Sequence, residues 1–221
     1  MHMLLLLSAL FLSPIQPVSA RGNAVVATRV SVRADSDSAL NAAILSDLAV
    51  AFAQVAKRNG YDRAKGVPGW LEAPYLASAS TRPDVPEFFA HRKAYAEDLS
   101  VHVDTIAMAI CARRLKEAGM DVVRTKEMRQ AFLYGFAKSD ARLRAMLGAM
   151  RRQSIVAIRL HQFLVEVDPY VRVNPKDPNG VLFDRPADQR RYTELATAID
   201  AANAQMEQAT AATQTTASSQ R

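Results

Sequence analysis

The chain has 221 residues, of which 49% are hydrophobic, enough for one domain with a buried core. The single cysteine, Cys111, excludes a fold held together by intramolecular disulfides. The net charge of +6 is concentrated between residues 113 and 159, where 12 Lys and Arg stand against 4 acids. Such a segment favours an anionic partner, although a solvated arginine face gives the same pattern.

The first twenty residues have the pattern of a secretory signal peptide. An apolar run over residues 3–12 precedes Val18-Ser19-Ala20, whose small side chains signal peptidase accepts. The run is about ten residues long, shorter than the ~20 that cross a bilayer. We therefore predict cleavage after Ala20 and a protein that is periplasmic or secreted. A composition rich in alanine and arginine favours a bacterial source, and we predict no transmembrane span after cleavage.

The remainder of the chain predicts an all-α fold, a helical bundle of four to five helices with two long helices and one long irregular loop. Residues 21–35 are expected to be extended, residues 36–208 to form a single α-helical domain, and residues 209–221 to be a low-complexity tail, frayed or disordered. Apolar spacing and punctuation by Gly and Pro place helices at 37–58, 84–118, 125–138, 139–167 and from about 186. Residues 170–184 predict a small hairpin or an irregular turn.

Residues 60–84 form the long loop, because four prolines and three glycines in or beside it prevent a continuous helix. Trp70 and Tyr75 argue against disorder. The loop is expected either to cover the bundle or to form the wall of a pocket.

Three polar side chains on the helices are candidates for a site. Asp98 and His102 are four residues apart and can pair on one helix. His161 lies on an apolar stripe, so it is either buried with a hydrogen-bond partner or faces a pocket. With the loop aromatics, these residues define a predicted pocket of Trp70, Tyr75, Asp98, His102 and His161.

Patterns for catalysis or cofactor binding are absent from the sequence. No Glu-x-x-His pair, Gly-rich phosphate loop, Gly-x-Ser-x-Gly turn or haem-attachment motif occurs. Cys111 fits a small buried residue better than a nucleophile. We therefore predict no metal and no cofactor, and an enzyme is the less favoured interpretation.

The favoured function is that of an exported, non-enzymatic helical protein that acts by binding, as an accessory or structural component of the cell envelope. Its predicted partner is an anionic envelope component or another envelope protein; nucleic acid is not expected, and an oligomer is left open. The predicted surface consists of Arg113, Arg114, Arg124, Lys126, Arg129, Arg142, Arg144, Arg151, Arg152 and Arg159. The alternative is a small helical periplasmic enzyme or metal-binding protein that uses His161 or the Asp98/His102 pair.

Overall fold

The computed structural model describes residues 24–64 and 66–218, which are mostly helical. In chain order the elements are α1 (Ala24–Arg58), α2 (Ala73–Leu76), α3 (Asp84–Glu117), α4 (Val122–Val167), β1 (Val171–Asn174), β2 (Asp177–Phe183) and α5 (Pro186–Ser218). The predicted all-α fold with a small hairpin is confirmed. However, four helices of the described chain are long rather than two, with 35, 34, 46 and 33 residues.

Helix α4 joins the two helices predicted over 125–138 and 139–167. The predicted boundary at Ser139 is wrong because this side chain does not cap a new helix. Its hydroxyl donates to the carbonyl of Gly135, 3.3 Å away, within the same helix. Asp140 accepts a bond from Arg144 one turn further on, at 2.7 Å. Ser and Asp side chains can form hydrogen bonds of this kind inside a helix as well as cap its first turn.

Two chain segments predicted as non-helical are helical in the structure. Helix α1 begins at Ala24, so the extended conformation expected for 21–35 is wrong where the structure describes it. Helix α5 likewise continues to Ser218 through the expected tail. Residues 24–35 and 209–218 contain no Gly or Pro to stop a helix, which is the physical reason for both differences. The predicted signal peptide lies outside the described residues.

Residue contacts divide the chain into two compact units. The described parts of Met1–Gln54, Val101–Arg144 and Thr210–Arg221 belong to unit 1, and those of Val55–Ser100 and Ala145–Ala209 to unit 2. The prediction that residues 36–208 form a single domain stays a prediction.

Unit 2 has a core built from three long helices and the loop after α1. Its fully buried side chains include Phe89, Leu160, Phe163, Leu164 and Ile199. The hairpin is antiparallel, with Val171 opposite Phe183 and a shift in register after Val173. The loop contributes buried Val67, Tyr75, Leu76 and Ala79, so it covers this core, which is one of its two predicted roles. Its first residues also line a surface pocket, which is the other role.

In unit 1, one cluster of the described core consists of buried Cys111, Leu115 and Met128, with Leu40 of α1 against it. The 22-residue segment Asp37–Arg58 is long and apolar enough to cross a membrane by length and composition, with a mean hydropathy of 1.6. The absence of a transmembrane span after cleavage therefore stays a prediction. Buried core helices pass the same test, and Ile44, Leu48 and Phe52 of this segment are buried.

Candidate functional site

Half of the predicted basic surface is engaged in ion pairs within the described chain. In unit 1, Asp47 of α1 accepts bonds from Arg113 and Arg114 of α3 at 2.6–2.7 Å. These bonds, that from Arg114 above all, hold the pKa of the Asp47 carboxyl below its usual value. One carboxylate thus offsets part of the charge of both arginines.

Three further members of that surface pair with acids in their own unit: Arg124 with Asp37 and Glu127, Arg144 with Asp140 and Asp104, and Arg151 with Glu97. An incoming anion would have to compete with these carboxylates. The predicted surface therefore narrows to the five members that form no ion pair within the chain that the structure describes: Lys126, Arg129, Arg142, Arg152 and Arg159.

Two of these five cations lie among exposed apolar side chains at the beginning of α4. Val122 is 85% exposed, Val123 69%, Tyr134 68% and Leu133 37%. At 100° per residue these four side chains, Lys126 and Arg129 fall within about 140° of the helix circumference. We call this surface the leading face of α4, defined by Val122, Val123, Lys126, Arg129, Leu133 and Tyr134.

The acids of this part of α4 are engaged locally. The Asp121 carboxylate accepts the backbone N–H of Arg124 at 2.8 Å and so caps the helix. The Glu127 carboxylate pairs with the Arg124 guanidinium at 3.2 Å. Since Lys126 and Arg129 have no such carboxylate among the described residues, the leading face carries net positive charge.

Sequence reasoning identified the two cations of the leading face but missed its apolar part. The apolar stripe of this part of α4 is formed by Met128, Phe132 and Phe136, of which Met128 and Phe136 are buried. Leu133 and Tyr134 fall outside that stripe on a helical wheel, as do the valines before it. Apolar residues that lie away from the core stripe of a helix are either exposed to solvent or covered by a partner. Their position on the wheel was therefore the signal in the sequence that could have identified this surface.

Four of the five predicted pocket residues lie in unit 2, and Tyr75 and His161 are in contact there. Tyr75 Oη and His161 Nδ1 lie 2.7 Å apart, and both side chains are buried. His161 is thus buried with a hydrogen-bond partner, as one of the two interpretations expected. Trp70 packs its ring against Phe89 at 4.7 Å. Asp98 accepts bonds from Arg58 and Asn59 at 2.7–3.1 Å. His102, in unit 1, is exposed.

A surface pocket of about 300 Å³ does exist in unit 2, but none of the five predicted residues lines it. Its lining consists of Gly60, Arg63, Ala64, Asp84, Glu87, Phe88 and His91. His91 Nδ1–H donates to the Asn59 carbonyl at 2.7 Å, which fixes the ring. Its Nε2 lies 3.6 Å from the Glu87 carboxylate. This arrangement joins the end of α1 to the first turns of α3.

Gly60→Ala is expected to lower the free energy of unfolding by about 1–2 kcal/mol or more. Gly60 has a φ of +72°, and a Cβ there would lie 2.7 Å from the His91 imidazole. Gly66→Ala is the matched control, since a Cβ at Gly66 would meet no atom within 4 Å. Chemical denaturation of both variants tests this. Equal stability of the two would contradict both the left-handed φ of Gly60 and its close contact with His91.

The described residues offer little for nucleophilic or metal chemistry. Cys111 is buried, and burial raises the pKa of its thiol, which disfavours the reactive thiolate. Among the described side chains, no three His, Cys, Asp or Glu residues come together in a group that could hold a metal ion.

No protein-family model, no curated protein and no solved structure matches the chain. Any proposal about its function therefore rests on the sequence and on the geometry described above.

Proposed function

We propose that the chain is an exported, non-enzymatic helical protein that binds a component of the cell envelope through the leading face of α4. The observation that carries the proposal is the exposure of four large apolar side chains beside two cations without carboxylate partners in the described chain. Exposed apolar groups that cluster on one helix face are typical of an interaction surface. The signal-peptide pattern of residues 1–20 supports a location in the envelope.

The alternative, an enzyme or metal protein that uses His161 or the Asp98/His102 pair, has less support. Tyr75 satisfies His161 inside the core of unit 2. Burial lowers the pKa of His161, and the nearby Asp84 charge only partly opposes this effect. Asp98 is engaged by an arginine and an asparagine. These contacts serve packing and local pairing rather than a reacting group.

Capture from the envelope tests the proposal. The full-length sequence, with a C-terminal tag, is expressed in a cell that makes this protein, and the bound material is compared for wild type and the Lys126→Gln/Arg129→Gln double variant. We expect an envelope component that the wild type retains and the double variant loses. Lys176→Gln/Arg190→Gln is the matched control, because it also removes one Lys and one Arg, both exposed and in unit 2. Equal capture by all three proteins would contradict a role for the leading face.

A further inference from the structure

The leading face of α4 joins two kinds of group that single out one class of partner. Among its apolar members, Val122, Val123 and Tyr134 are largely in solvent, and Leu133 is 37% exposed. Lys126 and Arg129 lie between them and are also exposed. From Val122 to Tyr134 the helix rises about 18 Å, which makes one continuous strip along just over three turns.

The charge of this strip suits an anionic surface. Asp121 and Glu127 are both engaged by Arg124, through its backbone N–H and its guanidinium, respectively. Lys138 extends the positive edge, with its ammonium 4.4 Å from the centre of the Tyr134 ring. A cation stacked on an exposed tyrosine keeps the apolar body of the ring and the charge on the same side of the helix.

The mixture of cations and apolar groups favours lipid over protein as the occupant. Protein interfaces are depleted of lysine but enriched in arginine and tyrosine, so Lys126 and the neighbouring Lys138 are the residues that distinguish the two occupants. Helices that lie in a membrane interface instead carry Lys and Arg beside apolar residues, because the long stems can bury while the charges reach the headgroups. Tyrosine is enriched at the same depth, since its ring is apolar and its hydroxyl is polar.

We propose that the leading face of α4 binds the surface of a membrane that contains anionic phospholipid, with Val122 and Leu133 entering the headgroup boundary and Lys126 and Arg129 contacting phosphate. This inference rests on the proposed function and specifies its partner. Each cation near an anionic bilayer adds about fivefold to the affinity, and each partly inserted side chain adds a comparable factor.

Vesicle co-sedimentation of the purified, exported protein tests the inference. With vesicles of phosphatidylglycerol and phosphatidylcholine, we expect binding that weakens from 0.05 to 0.5 M NaCl, since salt screens the attraction. With pure phosphatidylcholine we expect little binding. Lys126→Gln/Arg129→Gln should weaken binding about 30-fold, and Val122→Ser/Leu133→Ser about tenfold or more.

Matched controls distinguish binding by this face from the effect of net charge and from nonspecific hydrophobic adsorption. Lys176→Gln/Arg190→Gln removes the same charge elsewhere, and Val165→Ser removes an apolar side chain that is 42% exposed in unit 2. Both should bind like wild type. Circular dichroism shows whether each variant is folded, and only folded variants are compared.

Two outcomes would overturn the lipid inference: equal binding to both vesicle types, or no loss of binding in the leading-face variants. If these vesicles fail while the envelope capture still depends on Lys126 and Arg129, the partner is a protein or a polymer, and the proposed function stands. If the envelope capture does not depend on Lys126 and Arg129 either, both the lipid inference and the proposed function are contradicted.

Discussion

Phe163→Ala is expected to lower the free energy of unfolding by about 3–5 kcal/mol, the range for removing a large aromatic side chain from a closed core. Phe163 is 1% exposed in the core of unit 2. Its ring lies 5.9 Å from that of Phe183, and the Arg191 guanidinium lies 4.9 Å from its centre. Truncation therefore leaves a cavity where a long helix, the hairpin and the last helix meet.

Urea unfolding followed by tryptophan fluorescence measures this effect, because Trp70 is the only tryptophan and packs in the same unit. Gln162→Ala changes the neighbouring residue of α4, which is exposed, and should alter stability by about 0.5 kcal/mol or less. A loss below about 1 kcal/mol for Phe163→Ala would mean that the core of unit 2 is not closed around this ring.

Tyr75→Phe is expected to lower the free energy of unfolding by about 1–3 kcal/mol, the cost of leaving a buried polar atom without a partner. The change keeps the ring and removes the hydroxyl that lies 2.7 Å from His161 Nδ1. Burial raises the pKa of Tyr75 to about 12, so the phenol stays protonated at neutral pH. Tyr170→Phe is the control, since that ring is 44% exposed. Equal stabilities of the two variants in urea unfolding would contradict a buried Tyr75–His161 bond.

The same pair makes stability depend on pH. Burial holds the pKa of His161 below its ordinary value, so the unfolded chain takes up this proton at a higher pH than the folded chain does. The contribution to stability is therefore complete above about pH 6.5 and is lost as the pH falls toward the folded pKa. His161→Asn, whose amide can occupy the place of Nδ1, should flatten this slope between pH 7.5 and 5.5. An unchanged slope would exclude His161 as its source.

Local signals in the sequence were sufficient for several helix ends. Asn59-Gly60 predicted the end of α1, and Gly60 does adopt a left-handed φ there. Prolines and the Asp84 region predicted the start of α3 correctly. Ser139 misled because the same hydroxyl can cap a new helix or bond back within a continuing one, and the sequence does not distinguish these choices.

Long-range pairing was beyond the sequence. The sequence analysis placed Arg113 and Arg114 on the binding surface because their partner, Asp47, lies more than 60 residues earlier on another helix. His161 and Tyr75 are 86 residues apart. The sequence could therefore predict that a buried His161 has a hydrogen-bond partner, but it could not identify Tyr75 as that partner. A run of basic residues therefore predicted where charge is dense, and tertiary pairing decided which of those charges remain available at Lys126 and Arg129.

The most direct test of the central claim is site-specific photo-crosslinking in cells that make the protein. A photoreactive residue replaces Val122 in one variant and Val165 in another, both exposed on α4. The leading-face proposal predicts crosslinks to an envelope component, lipid or protein, from position 122 and few from position 165. Crosslinks from position 165 alone, or to cytoplasmic components from position 122, would contradict it.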